Sequence, residues 1–275
     1  MSRIYHSNVV TTVNKMTPGK LLAQTILLSS GYEAVASLWV AADSFVISEA
    51  CWEIHRSPGG RLNGGRRVAE LAGQEAYFRI GPSLRAVGRE DGELPRELLA
   101  DCVKGIIQAE TYLFGERGFA TAEDYEDFWR DNYRNACRRY GDVEGSGQSW
   151  FEFIGARISD GDCLFNRCKT ATIHLLADKA ATASGSFIDS FHELSLAVTT
   201  DNGFITACSA DLIRVPHAVC RETVTHLTAL RGKPVGDITS KAAAECAGGP
   251  MGCNHLVDLL YHTVKTLRQS QAGPE

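Results

Sequence analysis

No apolar run in this 275-residue chain approaches the roughly 18 residues that a membrane-spanning helix needs. The opening residues, MSRIYHSNVVTTVNK, lack the apolar segment of a secretory leader. A cytoplasmic protein without a membrane partner is therefore expected. Positive charge is in deficit: 28 Lys and Arg stand against 33 Asp and Glu, a net charge of -5. The basic runs are as short as Arg66-Arg67 and Arg138-Arg139. Binding a phosphate backbone requires clustered cations, so nucleic acid is not expected as a partner. The sequence contains no phosphate-binding glycine loop, no G-x-S-x-G elbow and no H-E-x-x-H helix, the signatures of nucleotide, serine-hydrolase and zinc-protease chemistry. Cysteine is present nine times. An odd number scattered through a long chain fits free thiols or metal ligands better than a disulfide framework.

The chain repeats itself. SLWVAADSFVISEACWEIHRSP (37–58) aligns without a gap with SLAVTTDNGFITACSADLIRVP (195–216). Each reads as a strand, a turn at Asp, a second strand and a stop at Pro. Upstream, IYHSNVVTTV (4–13) resembles LFNRCKTATI (164–173), and downstream PRELLADCVKGIIQAETYLF resembles the helix that GGPMGCNHLVDLL (248–260) opens. Each half reads as three strands followed by two helices. The fold class expected is α+β, a tandem duplication of a small antiparallel sheet with helices on one face. Residues 1–115 form a degenerate first repeat. Residues 116–149 supply a linking helix, with an aromatic stripe from Tyr125 to Tyr133, and a linker of Gly/Ser composition at 141–149. Residues 150–275 form the second repeat.

Groups able to ligate metal gather at element ends in the second half. His192 precedes the LSLAV strand, Cys220 falls in the first turns of a helix after Pro216, and Cys253 and His255 open the last helix. The ungapped alignment sets Ala34 opposite His192. Its looser parts set Arg61 or Leu62 opposite Cys220 and roughly Ala100 opposite Cys253. The first half thus lacks every one of these groups. Two thiolates with one or two imidazoles suit zinc, iron or a [2Fe–2S] cluster. Thiolates are also favoured at helix N-termini. The expected site is His192, Cys220, Cys253 and His255, with both sulfurs in one coordination sphere and Glu193 as an outer carboxylate. A second reading makes Cys253 the nucleophile of a thiol enzyme, with His192 or His255 as its base. A third is a metal-free interaction module, with other proteins as partners.

HELSLAVTTD (192–201), PHAVC (216–220) and GGPMGCNHLVDLL (248–260) resemble a bacterial family known as domain of unknown function 2889, over the last 110 to 120 residues. Glu193, His217 and Asn254 depart from its pattern, and the resemblance implies no activity. More distantly, the order of strands and the cysteines at helix starts resemble U-type (NifU/IscU-like) iron–sulfur scaffolds. That resemblance implies Cys220 and Cys253 as cluster ligands, with His192 near a third ligand position and His255 in place of the usual neighbouring histidine.

Overall fold

A computed structural model describes residues 3–141, 148–155, 162–176 and 179–271. Nine strands of an antiparallel sheet and seven α-helices lie within them. In chain order they are β1 (Arg3–Thr17), β2 (Lys20–Ser29), β3 (Glu33–Ala41), β4 (Ile47–Arg56), β5 (Gly64–Arg67), α1 (Gly81–Asp91), α2 (Glu93–Ala109), α3 (Ala122–Asn132), α4 (Arg138–Gly141), α5 (Trp150–Ile154), β6 (Cys163–Leu175), β7 (Ala181–Asp189), β8 (Glu193–Asp201), β9 (Phe204–Arg214), α6 (Ser240–Ala247) and α7 (Asn254–Gln271). Most of the stretch at 141–149 expected to be a linker falls outside the described residues.

The chain divides into two compact units. One comprises Asn8–Ala122 with Ile158–Cys168; the other comprises Met1–Ser7, Glu123–Arg157 and Lys169–Gly273. In the first, the strands run β5-β4-β3-β2-β1. Alternate residues of β2 (Leu21, Ala23, Thr25, Leu27) are buried, the period of a sheet with one face covered. The helix α2 contacts β2, β3 and β4. In the second unit the order is β6-β7-β8-β9, with α7 against β7 and β8. Each unit is thus a meander followed by helices. The sequence reading missed β2 and the short β5 in the first unit and β7 in the second.

The two meanders share a turn atom for atom. In the first, the Ser29 N–H donates to the Tyr32 carbonyl at 2.8 Å. Ser29 Oγ accepts from Gly31 and Tyr32 N–H at 3.3 and 2.8 Å, and Arg56 Nη2 donates to the carbonyls of Ser29 and Tyr32. In the second, the Asp189 N–H donates to the His192 carbonyl at 2.9 Å. Asp189 Oδ1 accepts from Phe191 and His192 N–H at 2.8 and 2.6 Å, and Arg214 Nη2 donates to the carbonyls of Asp189 and His192. The ladders agree: Glu33 pairs with Arg56 and Glu193 with Arg214, each beside a bulge.

This register corrects the ungapped alignment. Val40 pairs with Ile47, but its counterpart Thr200 pairs with Ile205, so the second hairpin is two residues shorter. The residue opposite His192 is therefore Tyr32, not Ala34, and Ser29 stands opposite Asp189. Matching the starts of α2 and α7 sets Gly92, not Ala100, opposite Cys253, and Leu94 opposite His255.

The hairpin connections differ for a physical reason. Asn202 (φ 49) and Gly203 (φ 82) form the two-residue, left-handed turn that suits twisted strands. The longer β3–β4 connection holds Phe45 at φ 52 and is fastened from outside. The Arg117 guanidinium lies 4.2 Å from the Phe45 ring centroid and donates to the Asp43 carbonyl at 2.9 Å. Arg117 Nε also pairs with the buried Glu110 at 3.0 Å, whose other oxygen accepts from Tyr77 Oη at 2.6 Å.

The helix expected from Cys220 onward is a 3-10 helix, Ala218–Leu230. Thr223, Thr225 and Thr228 donate their hydroxyls to the carbonyls of Cys220, Glu222 and Thr225. These three-residue returns favour the tighter helix, as local side-chain bonds compete with α-helical pairing. Arg221 on this segment donates to the carbonyls of Leu212 and Ile213 on β9.

Candidate functional site

Three candidate ligands meet in the C-terminal unit. The meander turn supplies Asp189 and His192, and the first turn of α7 supplies His255. One ligating atom from each lies within 4.8 Å of the other two. His192 is 6% exposed. The rings of His192 and His255 stack with centroids 3.8 Å apart and planes 29° apart. The Phe187 ring of β7 meets His255 edge-on at 5.3 Å. His192 Nδ1 lies 3.1 Å from Asp189 Oδ1. A carboxylate only accepts, so Nδ1 carries the proton in this pair, and Nε2 is left as the ring's other ligating atom.

His192 and His255 are thus together, as expected, and Asp189 is the third member of the group, which sequence reasoning missed. The available signal was Asp-x-x-His in DSFH, the spacing of a side chain that caps its own turn. The carboxylate on His192 belongs to this turn, whereas Glu193, expected as an outer carboxylate toward His255, begins the β8 ladder opposite Arg214.

Cys220 and Cys253 do not join the group of closely spaced ligands. Both lie in the apolar core of this unit, at 7% and 8% exposure. Burial pushes the Cys220 thiol up to about 11 and the Cys253 thiol up to about 12, so both are protonated at neutral pH. The nucleophile reading requires a thiolate. In native protein at pH 8 both cysteines should react with iodoacetamide at least about tenfold more slowly than in denaturant. Mass mapping of the alkylated peptides measures this, and a single fast, stoichiometric thiol at either position would restore the nucleophile reading.

The glycines before Cys253 have a local task. A Cβ on Gly252 would fall on the carbonyl oxygens of Ala247 and Gly248, and Gly249 holds φ 74. This tight loop lets the Cys253 N–H donate to the Ala247 carbonyl at 2.7 Å, closing the end of α6. Cys253 therefore sits just before α7, and His255 falls on its first turn.

Trp150, from the capped helix α5, meets Phe191 edge-on at 4.8 Å. Phe191 in turn meets His192 edge-on at 6.3 Å. Earlier in the chain, Tyr125, Trp129, Tyr133 and Tyr140 form a continuous ladder of ring contacts.

No helix of the described residues is long and apolar enough to cross a membrane. No curated protein and no solved structure matches the chain, and the resemblance to U-type iron–sulfur scaffolds gains no support. Residues 171–269, which contain Asp189, His192, Cys220, Cys253 and His255, match the model of a family described as protein of unknown function, DUF2889.

Proposed function

We propose that the C-terminal unit is a metal-binding domain with a mononuclear site on His192 and His255, and that the two meanders descend from one duplicated unit. The observation that carries the metal reading is the convergence of Asp189, His192 and His255. The shared turn strengthens it. Ser29 and Tyr32 make the same backbone bonds without an imidazole or a carboxylate, so the turn does not need Asp189 or His192. Leu94 and Gly92, opposite His255 and Cys253, begin α2 equally well.

Asp189 Oδ1 already accepts two backbone N–H groups and faces Nδ1 of His192. Its role in this reading is to orient and polarise His192 from behind the metal, as carboxylates do for ligating histidines. The imidazoles suit zinc or iron, and two protein nitrogens leave coordination positions open for water or a substrate. Stacked rings point their lone pairs side by side. Ligation therefore involves a turn of the His255 ring, which lies at the partly exposed end of α7.

The test is metal content after purification without added metal or chelating resin, followed by anaerobic titration with Zn2+ and Fe2+. The expected result is about one ion per chain. His192→Ala and His255→Ala should lose it, and Asp189→Asn should weaken it by about 10- to 100-fold. No saturable binding by the unaltered protein, or histidine variants that bind as it does, would defeat the reading.

A further inference from the structure

We infer that Arg139 is an oxyanion anchor beside this site, so that the ligand admitted there carries a carboxylate or phosphate on an apolar body. The inference rests on the metal site proposed above for its location, but not for its chemistry. Arg139 belongs to α4, within the C-terminal unit. Its guanidinium lies 5.0 Å from the Trp150 ring centroid and 5.5 Å from that of Tyr140. Trp150 contacts Phe191, the residue before His192. Ring contacts thus run from Arg139 through the half-buried Trp150 to the buried Phe191.

Arg130, Arg134 and Arg138, in the same segment, pair with Asp127, Asp131 and Glu222. Among the described residues no carboxylate pairs with Arg139. The groups on which its field acts include Cys137, Cys220 and Tyr140. All three are neutral at physiological pH because burial raises them. An arginine held by ring faces keeps its N–H edges free, and those edges form the fork that matches a planar oxyanion. The neighbouring rings supply apolar surface for the rest of a small ligand.

Benzoate and inorganic phosphate serve as probes, titrated calorimetrically into the full chain, with and without bound metal. Benzoate should bind saturably, and Arg139→Gln should weaken it by at least about tenfold, the loss expected for a hydrogen-bonded charge pair. Arg134→Gln, at an exposed paired position, should leave it unchanged. Phosphate binding with the same dependence on Arg139 would identify the anion itself as the determinant, whereas benzoate alone would identify a carboxylate on an apolar body. Should Arg139→Gln fail to fold, Arg139→Lys, which loses the fork but keeps the charge, should weaken binding by about threefold or more. Absence of saturable binding of either probe overturns the inference, as does an Arg139 variant that binds like the unaltered protein. Metal content of Arg139→Gln separates the two ideas, since it should equal that of the unaltered chain whether or not the anion site is real.

Discussion

Arg117→Ala is expected to destabilise the N-terminal unit by about 3–5 kcal/mol, the cost of stranding one partner of a buried ion pair. The Glu110 side chain is 1% exposed and that of Arg117 14%, so neither water nor bulk ions can replace the lost guanidinium. The same substitution removes the cation over Phe45, the bond to the Asp43 carbonyl and the bridge to Glu75 at 3.0 Å. Lysine should restore only part of the loss, because it cannot serve these directions with a planar fork. Replacing both partners, as Glu110→Met with Arg117→Met, should recover much of the stability, since a buried pair gains little over well-packed apolar groups. Urea unfolding curves of the three variants measure this. A loss below about 1 kcal/mol for Arg117→Ala, the range of an exposed pair, would show that the network does not hold the loop.

Asp258→Ala should be comparably damaging in the C-terminal unit, again by about 3–5 kcal/mol. Asp258 lies on α7 and pairs at 3.2 Å with Lys169 on β6, and the two side chains are 17% and 6% exposed. Removing the carboxylate takes a charged acceptor away from an ammonium group that is almost wholly buried, where losing such a partner is costly. Asp258 stands one helical turn beyond His255, on the same side of α7. The variant should therefore weaken metal binding as well as lower the unfolding midpoint. Unfolding curves at neutral pH, with metal titration of the folded fraction, give both readouts. Unchanged stability at neutral pH would mean that Lys169 finds full compensation elsewhere.

The sequence exposed the parts of the fold where chemistry and periodicity agree. The β3–β4 and β8–β9 hairpins were legible because strand, Asp turn, strand and Pro recur in order. The apolar stripe Leu256, Leu259, Leu260 and Val264, all fully buried, announced α7. Strand β2 was not legible because its outward positions Leu22, Ile26 and Leu28 are apolar too, which hides the alternation. In β7 the signal is weak for the opposite reason, since ATASGSFID carries small residues and a central glycine. Gly185 leaves room there for Thr263 of α7, and a Cβ would sit 3.0 Å from Leu259 Cδ1.

Two of the three residues of the candidate site could be read in advance. Histidines at the start of a strand and the start of a helix are visible as letters. Their stacking is visible only once β7 and α7 are packed. Asp189 was lost with β7, the strand that carries it. The cysteines were conspicuous as residue types, but only the packed structure shows that they lie in the apolar core and outside the group of Asp189, His192 and His255.

The contact between Arg221 and β9 has a consequence for the behaviour of the protein in crowded solution. The strand order ends at β9, and a terminal strand offers free backbone groups to any extended segment that drifts alongside. Ile213, on that strand, is 53% exposed, which makes the border sticky as well as open. Arg221 occupies the carbonyl oxygens of Leu212 and Ile213 and sets a positive charge where an incoming strand would begin to zip. A bond that looks like local tidying of a helix against a strand thus acts as a guard against strand-by-strand self-assembly.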